Sequence, residues 1–215
     1  MRRLYFIFFV LLTMLITLGC GSTSSTNKSI TLQEVIEKSK LVTEGYYEYE
    51  GALSTLIEIK PDITYLYRVW FKNQQARIEI ETIERGVPIS VSGKVYSEEE
   101  GLIEEYNIIK ESSYNNIGQV GENVPVKVRE LTFLKYIDDL DSGKAKINSI
   151  EMVNNEECIV VESGTSGLKK MWISVQTGTP TQVQYDNDDI IRYKNVRIGK
   201  NSIKDKDLAV PEQKD

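Results

Sequence analysis

Short segments in which apolar and polar residues alternate dominate this chain of 215 residues. The clearest is ARIEIETI, where Ala76, Ile78 and Ile80 alternate with Arg77, Glu79 and Glu81. Successive side chains of a strand point to opposite faces, so this alternation is typical of an antiparallel strand with one buried face. About ten such segments, separated by turns rich in Gly, Asn, Asp or Pro, predict a meander of hairpins.

Two segments follow a helical period instead. Thr31 and Glu34 have the spacing of a capping box, which predicts a helix from there to about Thr43. A second helix is predicted between Pro125 and Gly143, where apolar residues recur every third position: Val128, Leu131, Leu134, Ile137 and Leu140. Residues 110–123, which are polar and contain several Gly and Asn, are expected to form a loop.

Residues 30–211 show neither an internal repeat nor a break in composition, so they are expected to form one domain with a real core. The predicted fold class is mainly β (α+β). It consists of a single curved antiparallel sheet, an unclosed half-barrel of about ten strands, with two helices on its concave face. Residues 212–215 are expected to be a tail.

The N-terminus resembles the signal peptide of a bacterial lipoprotein. Arg2 and Arg3 precede fifteen uncharged residues, Leu4 to Leu18, which are too few to span a bilayer comfortably. The segment TLGC that ends at Cys20 resembles a lipobox. This resemblance implies cleavage after residue 19 and acylation of Cys20, with chains such as palmitate as the membrane anchor. The alternative is an uncleaved signal anchor. Residues 20–29, rich in Gly, Ser and Thr, are expected to form a flexible tether.

Composition excludes several functions. Cleavage would leave 24 basic against 32 acidic residues, a formal charge of −8, which argues against nucleic acid as a partner. The chain has no histidine, so Ser-His-Asp and Cys-His nucleophile systems are excluded and the commonest zinc ligand is missing. With Cys20 acylated, Cys158 has no disulfide partner; we expect a small buried residue there, with a reactive thiol as the alternative. No cofactor or metal is expected.

Clusters of carboxylates are the remaining catalytic option. They occur at Glu98–Glu100, at Glu104 and Glu105, and at Asp138, Asp139 and Asp141. A glycosidase needs two carboxylates facing each other across a cleft, whereas charge runs at turns and helix ends are usually solvated. The protein is therefore expected not to be an enzyme.

The C-terminal third resembles the LolA-like lipoprotein-carrier superfamily. The shared pattern is an apolar-Trp-Ile strand, a Thr-Gly-x-Pro turn, an alternating strand, a polar turn and a final strand. Here these are Met171–Ile173, Thr177–Pro180, Val183–Tyr185 and, after the polar turn, Ile191–Val196. The superfamily implies an unclosed barrel with helices in its concavity, which binds acyl chains or glycolipids in some members and proteins in others.

Chain size, lipobox and expected fold are also similar to the GerS-type germination lipoproteins of clostridia. A composition rich in Ile, Lys and Asn, together with the lipobox, suits a Gram-positive, spore-forming source. The similarity implies a non-enzymatic partner of a cell-wall (peptidoglycan) amidase. The preferred hypothesis is therefore an extracytoplasmic, membrane-anchored adaptor that binds another envelope protein during germination of the spore.

The alternative hypothesis is a carrier or sensor of lipids or of lipoprotein acyl chains. Its apolar cleft would be lined by Tyr47, Tyr49, Tyr65, Tyr67 and Phe71, although these residues could instead fill the core. Trp70 and Trp172 are expected either to be exposed, as protein contacts, or to pack into the core.

Overall fold

The computed structural model describes residues 30–51, 62–109, 115–119, 125–140, 144–164 and 166–211. The predicted signal peptide, Cys20, the tether and the tail at 212–215 lie outside these residues. The described residues from Thr31 onward belong to one compact unit. Mainly antiparallel β-structure accounts for most of the described part of the chain.

Twelve strands are described. They are β1 (Glu44–Gly51), β2 (Ile63–Lys72), β3 (Gln75–Glu84), β4 (Val87–Ser97), β5 (Gly101–Ile109), β6 (Asn115–Gln119), β7 (Lys146–Val153), β8 (Glu156–Glu162), β9 (Leu168–Ser174), β10 (Pro180–Tyr185), β11 (Ile190–Arg192) and β12 (Lys194–Ile198).

Hydrogen bonding divides the strands into two sheets. The first has the order β12-β1-β2-β3-β4-β5-β6 and the second the order β11-β10-β9-β8-β7. Neighbouring strands are antiparallel throughout. The predicted class, a mainly β, unclosed antiparallel architecture with two helices, is confirmed, with twelve strands where about ten were expected.

One bent strand connects the sheets. The sequence predicts a continuous strand IIRYKNVRI, but β11 pairs with β10 whereas β12 pairs with β1. Tyr193 lies between these strands, and its backbone N–H donates to the carbonyl of Thr181 at 3.0 Å. The chain therefore passes from one sheet to the other at Tyr193, and this is why the predicted single sheet is hydrogen-bonded as two.

Helix α1 (Leu32–Lys40) begins as the sequence predicts. Thr31 is the N-cap, and its side chain and that of Glu34 form the reciprocal capping box. The helix ends three residues before Thr43. It packs closely on the turn between β9 and β10, where a Cβ at Gly178 would lie 2.6 Å from the backbone of α1.

The second predicted helix is broken in two. A 3-10 helix (Val128–Leu131) is followed by the single-turn helix α2 (Lys135–Asp138). Between them Thr132 is extended, and its hydroxyl donates to the carbonyl of Arg129 at 2.9 Å and accepts from the N–H of Leu134 at 3.3 Å. These side-chain bonds compete with the helical ones and interrupt the helix. The predicted apolar positions are nevertheless buried, except for half-buried Leu131.

The predicted loop at 110–123 contains strand β6, so that part of the prediction is wrong. β6 pairs with Glu104–Ile108 of β5 at the edge of the first sheet. Its sequence, NNIGQ, has neither alternation nor β-branched residues beyond Ile117, so local pattern gave no signal for it.

Strands β1–β3 have two covered faces. We call the side that carries Tyr47 and Phe71, and that packs against the 128–140 segment, the helix face. The opposite side carries Tyr46 and Trp70 and packs against residues 199–211; we call it the tail face. There Ile203 and Leu208 cluster with Tyr46 and Trp70.

Candidate functional site

The five residues predicted to line an apolar cleft share the helix face. Strand pairing places Tyr47, Tyr49, Tyr65, Tyr67 and Phe71 on one side of β1 and β2. The rings of Tyr49 and Tyr67 stack with their centroids 4.5 Å apart and nearly parallel. The structure thus places all five on one surface. Tyr47 and Phe71 are buried there, whereas the other three are half-buried.

Two rings that the sequence did not single out complete this surface. Phe133 stacks on Tyr47 with centroids 4.1 Å apart, and Tyr193 meets both rings edge-on at 5.3 and 5.1 Å. Tyr47 and Phe71 are each only 2% exposed. Protein side chains therefore fill this end of the helix face.

Phe133 and Tyr193 were missed for different reasons. Phe133 falls between the every-third positions of the predicted helix, and it faces the sheet because the helix breaks at Thr132. Tyr193 alternates correctly with Ile191 in the sequence, but its position between the two sheets depends on the bend of the strand.

The buried phenols are held in their neutral form. Tyr47 accepts a hydrogen bond from the backbone N–H of Phe133 at 2.9 Å, and burial raises the pKa of Tyr47 well above its usual value. Burial raises the pKa of Tyr193 likewise. These groups are poor candidates for proton transfer near neutral pH, because a catalytic acid or base needs a pKa near the working pH.

The other end of the helix face is less covered. Tyr49, Tyr65 and Tyr67 are half-buried, as are Ile78 and Ile80 on β3. These five form an apolar surface next to the filled cluster. That they line a ligand cleft stays a prediction.

The tail face carries a buried charged network. Arg77 and Glu79 form an ion pair, and Tyr106 on β5 joins them, donating to Glu79 at 2.6 Å and accepting from Arg77 Nε at 2.9 Å. Arg77 Nη1 also donates to the carbonyls of Asp207 and Ala209 at 3.1 and 2.9 Å. Glu79 is 6% exposed.

The prediction from the alternation of β3 is wrong for these charged residues. The sequence predicts that Arg77, Glu79 and Glu81 face solvent, yet they are more deeply buried than Ile78 and Ile80 on the other side. Their partners come from distant parts of the chain, so the strand's own pattern could not reveal them. Arg68 on β2 completes the network through ion pairs with Glu48, Glu79 and Glu81.

Gly93 on β4 is required by this network. It pairs with Tyr106, whose ring lies across it to reach Glu79 on β3. A Cβ at Gly93 would lie 2.0 Å from the Cζ atom of Tyr106. Only glycine leaves room for the ring.

The predicted carboxylate clusters lie elsewhere, and at least one residue of each has a structural partner. Glu98 accepts from the N–H of Val128 at 3.0 Å, Glu105 pairs with Lys94 at 3.4 Å, and Asp138 pairs with Arg129. Asp141 lies outside the described residues. Within the described ranges, no three Cys, Asp or Glu side chains come close enough to hold a metal ion.

Cys158 is fully buried beneath Trp172 in a cluster with Val160. Burial raises the pKa of its thiol, which disfavours the reactive thiolate. Trp172 and Trp70 both pack, so they are not the exposed protein contacts considered from the sequence. Trp172 covers Cys158 and donates to Glu151 at 2.8 Å, while Trp70 lies under the guanidinium of Arg77.

Two grooves open on the described surface. One, of about 570 Å³, lies beside the turn between β10 and β11 and includes Glu50 and Tyr185. The other, of about 730 Å³, lies where β10 and β12 diverge and is lined mainly by hydroxyl and amide side chains. In the described part of the chain, none of the helices is long and apolar enough to cross a bilayer.

No protein-family model matches the chain, and no curated protein matches it in sequence. A comparison with solved structures found several matches. MucB in complex with MucA(peri) is 7% identical over 84% of this chain and 58% of that chain, with a TM-score of 0.45. LprF from Mycobacterium bovis is 10% identical over 78% of this chain and 89% of that chain, with a TM-score of 0.41.

PNGF-II is 7% identical over 78% of this chain and 30% of that chain, with a TM-score of 0.33. This chain thus spans less than two thirds of the MucB and PNGF-II chains. The observed order of elements is helix, six strands, helical segment and six strands, followed by a short 3-10 helix (Asp205–Asp207).

Proposed function

We propose that this protein is a non-enzymatic, lipid-anchored binding module that holds another protein of the cell envelope. The observation that carries the proposal is the filled helix face. Tyr47, Phe133 and Tyr193 pack ring against ring where a carrier would need open volume for an acyl chain. A binding function then falls to the outer surfaces and edges of the sheets.

A peptidoglycan amidase that acts in spore germination is the partner that we propose. The support for it is the resemblance of chain size, lipobox and fold to GerS-type lipoproteins. The absence of histidine from the chain fits a partner that leaves hydrolysis to another protein.

A lipid carrier is the second candidate. Half-buried Tyr49, Tyr65 and Tyr67, next to Ile78 and Ile80, offer an apolar surface that an acyl chain could cover. Charge does not favour anionic headgroups, because the mature chain would be strongly acidic.

Native mass spectrometry of the protein, purified gently from its own membranes, separates the two. A stoichiometric protein companion without added lipid is expected. An added mass of several hundred daltons beyond the acylated chain, with no protein companion, would refute the adaptor function and support the carrier function.

Anchoring has its own test. Cys20→Ser should release the protein from the membrane fraction and leave its thermal unfolding unchanged, because the substituted residue precedes the folded unit, which begins at residue 31. A Cys20→Ser protein that stays membrane-bound with a cleaved N-terminus would exclude acylation as the anchor.

A further inference from the structure

Strand β7 (Lys146–Val153) is an exposed sheet edge. Among the described strands its hydrogen-bonded neighbour is β8, on one side. A free edge presents unpaired backbone N–H and C=O groups, to which another extended chain can bind. The pairing with β8 is irregular between Ile147 and Ser149, so the regular part of the edge is Ser149–Val153.

Three large apolar side chains line one side of this edge. Ile147, Ile150 and Met152 are 40%, 52% and 68% exposed. The first two lie opposite the fully buried residues Val161 and Ile159 of β8. The apolar surface therefore continues the core of the second sheet outward to an edge where it is left uncovered. Clustered exposed apolar residues of this kind mark interaction surfaces.

The other side of the same edge carries more exposed acidic than basic residues, around the buried cluster of Cys158, Val160 and Trp172. Glu151 on β7 and Glu156 and Glu162 on β8 face away from Ile147, Ile150 and Met152 and are exposed, whereas exposed Glu157 lies opposite Met152 on the apolar side. The basic residues on that side are Lys146 and Lys170, so the three glutamates outnumber them. The hydrogen bond from the indole of Trp172 lowers the pKa of Glu151, so this carboxylate stays charged.

From this arrangement we propose that β7 binds an extended segment of a partner protein as an added strand, and that this segment alternates apolar with basic residues. Its apolar side chains would cover Ile150 and Met152, and its Lys or Arg side chains would face Glu151. Main-chain hydrogen bonds supply the affinity in this mode, and alternate side chains supply the specificity. The inference rests on the proposed binding function and assigns it a surface.

The probe is a synthetic, fluorescently labelled peptide of alternating Lys and Val, titrated against the full chain. Two control peptides have the same length: one with Lys and Val in pairs, and one with Glu in place of Lys. The alternating basic peptide should bind at least about tenfold more tightly than either, because only it presents one apolar and one cationic side. Amide hydrogen exchange should slow in Lys146–Val153 when it binds.

The test variant is Ile150→Lys, with Val196→Lys as its matched control. Val196 is also exposed, at 39%, and lies on β12, the edge of the other sheet. Both substitutions are at the surface, so both proteins should fold. Ile150→Lys should weaken peptide binding at least about tenfold, whereas Val196→Lys should change it less than about twofold.

Equal binding to the wild type and Ile150→Lys, protection at β12 instead of β7, or no binding of the basic peptide would overturn the proposal. A wild-type dimer that Ile150→Lys dissociates would also overturn it, since a second copy would then occupy the edge.

The outcome can be separated from that of the proposed function. A protein companion that purifies equally with wild type and Ile150→Lys would refute the β7 surface and leave the binding function standing. A wild-type protein without any companion would refute the binding function itself.

Discussion

The helix face and the tail face of β1–β3 are both covered, but by different chemistry. On the helix face, rings of Tyr47, Phe133 and Tyr193 pack with few directional bonds. On the tail face, Arg77, Glu79 and Tyr106 form an ion pair and hydrogen bonds, each of which needs its partner in place. The stabilisation from packed rings is roughly proportional to the apolar area that they bury. A buried charge, in contrast, is costly unless it is paired and its hydrogen bonds are made.

This difference bears on where the protein can bind others. Where the faces of β1–β3 are covered, recognition falls to other surfaces, among them the edge strands of the two sheets. Of the edges described, β7 carries apolar side chains in the open, while β12 carries mainly polar and basic ones. Substitutions on each face test whether the two kinds of packing differ in their contribution to stability.

The largest effect is expected on the helix face from Phe133→Ala. Removing a buried ring stacked on Tyr47 should lower the free energy of unfolding by about 3–5 kcal/mol, because the loss of apolar contact adds to the cost of a cavity. Urea denaturation measures it. Val87→Ala, at the exposed first position of β4, is the control and should change stability by less than about 0.5 kcal/mol. A loss below about 1 kcal/mol for Phe133→Ala would mean that the cluster is loosely packed.

Alkaline pH should destabilise the packing of the helix face. Burial raises the folded-state pKa of Tyr47 and Tyr193 above the value of about 10 for an exposed phenol. Their contribution to stability is therefore complete below about pH 10 and is lost as the pH rises above it, at up to about 1.4 kcal/mol per pH unit for each group. Urea denaturation across this range would measure the decline. The Tyr47→Phe protein should show a shallower decline, and an equal slope would exclude Tyr47 as a cause.

On the tail face, Gly93→Ala should cost about 1–3 kcal/mol, since the new methyl group must displace the ring of Tyr106. The same substitution should cost much less in a Tyr106→Leu background, where that ring is gone. The four proteins form a double-mutant cycle, measured by urea denaturation. Additive losses would show that the crossing of Tyr106 over Gly93 is not what requires glycine there.

The sequence predicted the features that local chemistry determines. The capping box of Thr31 and Glu34 formed because both partners lie within one turn. The alternating segment ARIEIETI, residues 76–83, lies wholly within β3. What the alternation missed depends on distant residues: Arg77 and Glu79 are buried because Tyr106 and the backbone near residue 208 reach them.

The smallest effect is a difference between two hydroxyl deletions, one on each face. Tyr106→Phe removes the acceptor of Arg77 Nε and one of the donors to Glu79, which keeps its ion pairs with Arg77 and Arg68. Hydrogen bonds to charged groups contribute about 1.5–3 kcal/mol. Tyr47→Phe removes the acceptor of one backbone N–H, that of Phe133, worth about 0.5–1.5 kcal/mol. Both variants keep their rings, so urea denaturation at neutral pH compares the hydroxyl bonds alone. Tyr106→Phe should be the less stable by about 1 kcal/mol. If the two proteins lose equal stability, the hydroxyl hydrogen bonds of the tail face contribute no more than those of the helix face. The two faces would then differ in which residues cover them and not in how much their directional bonds contribute.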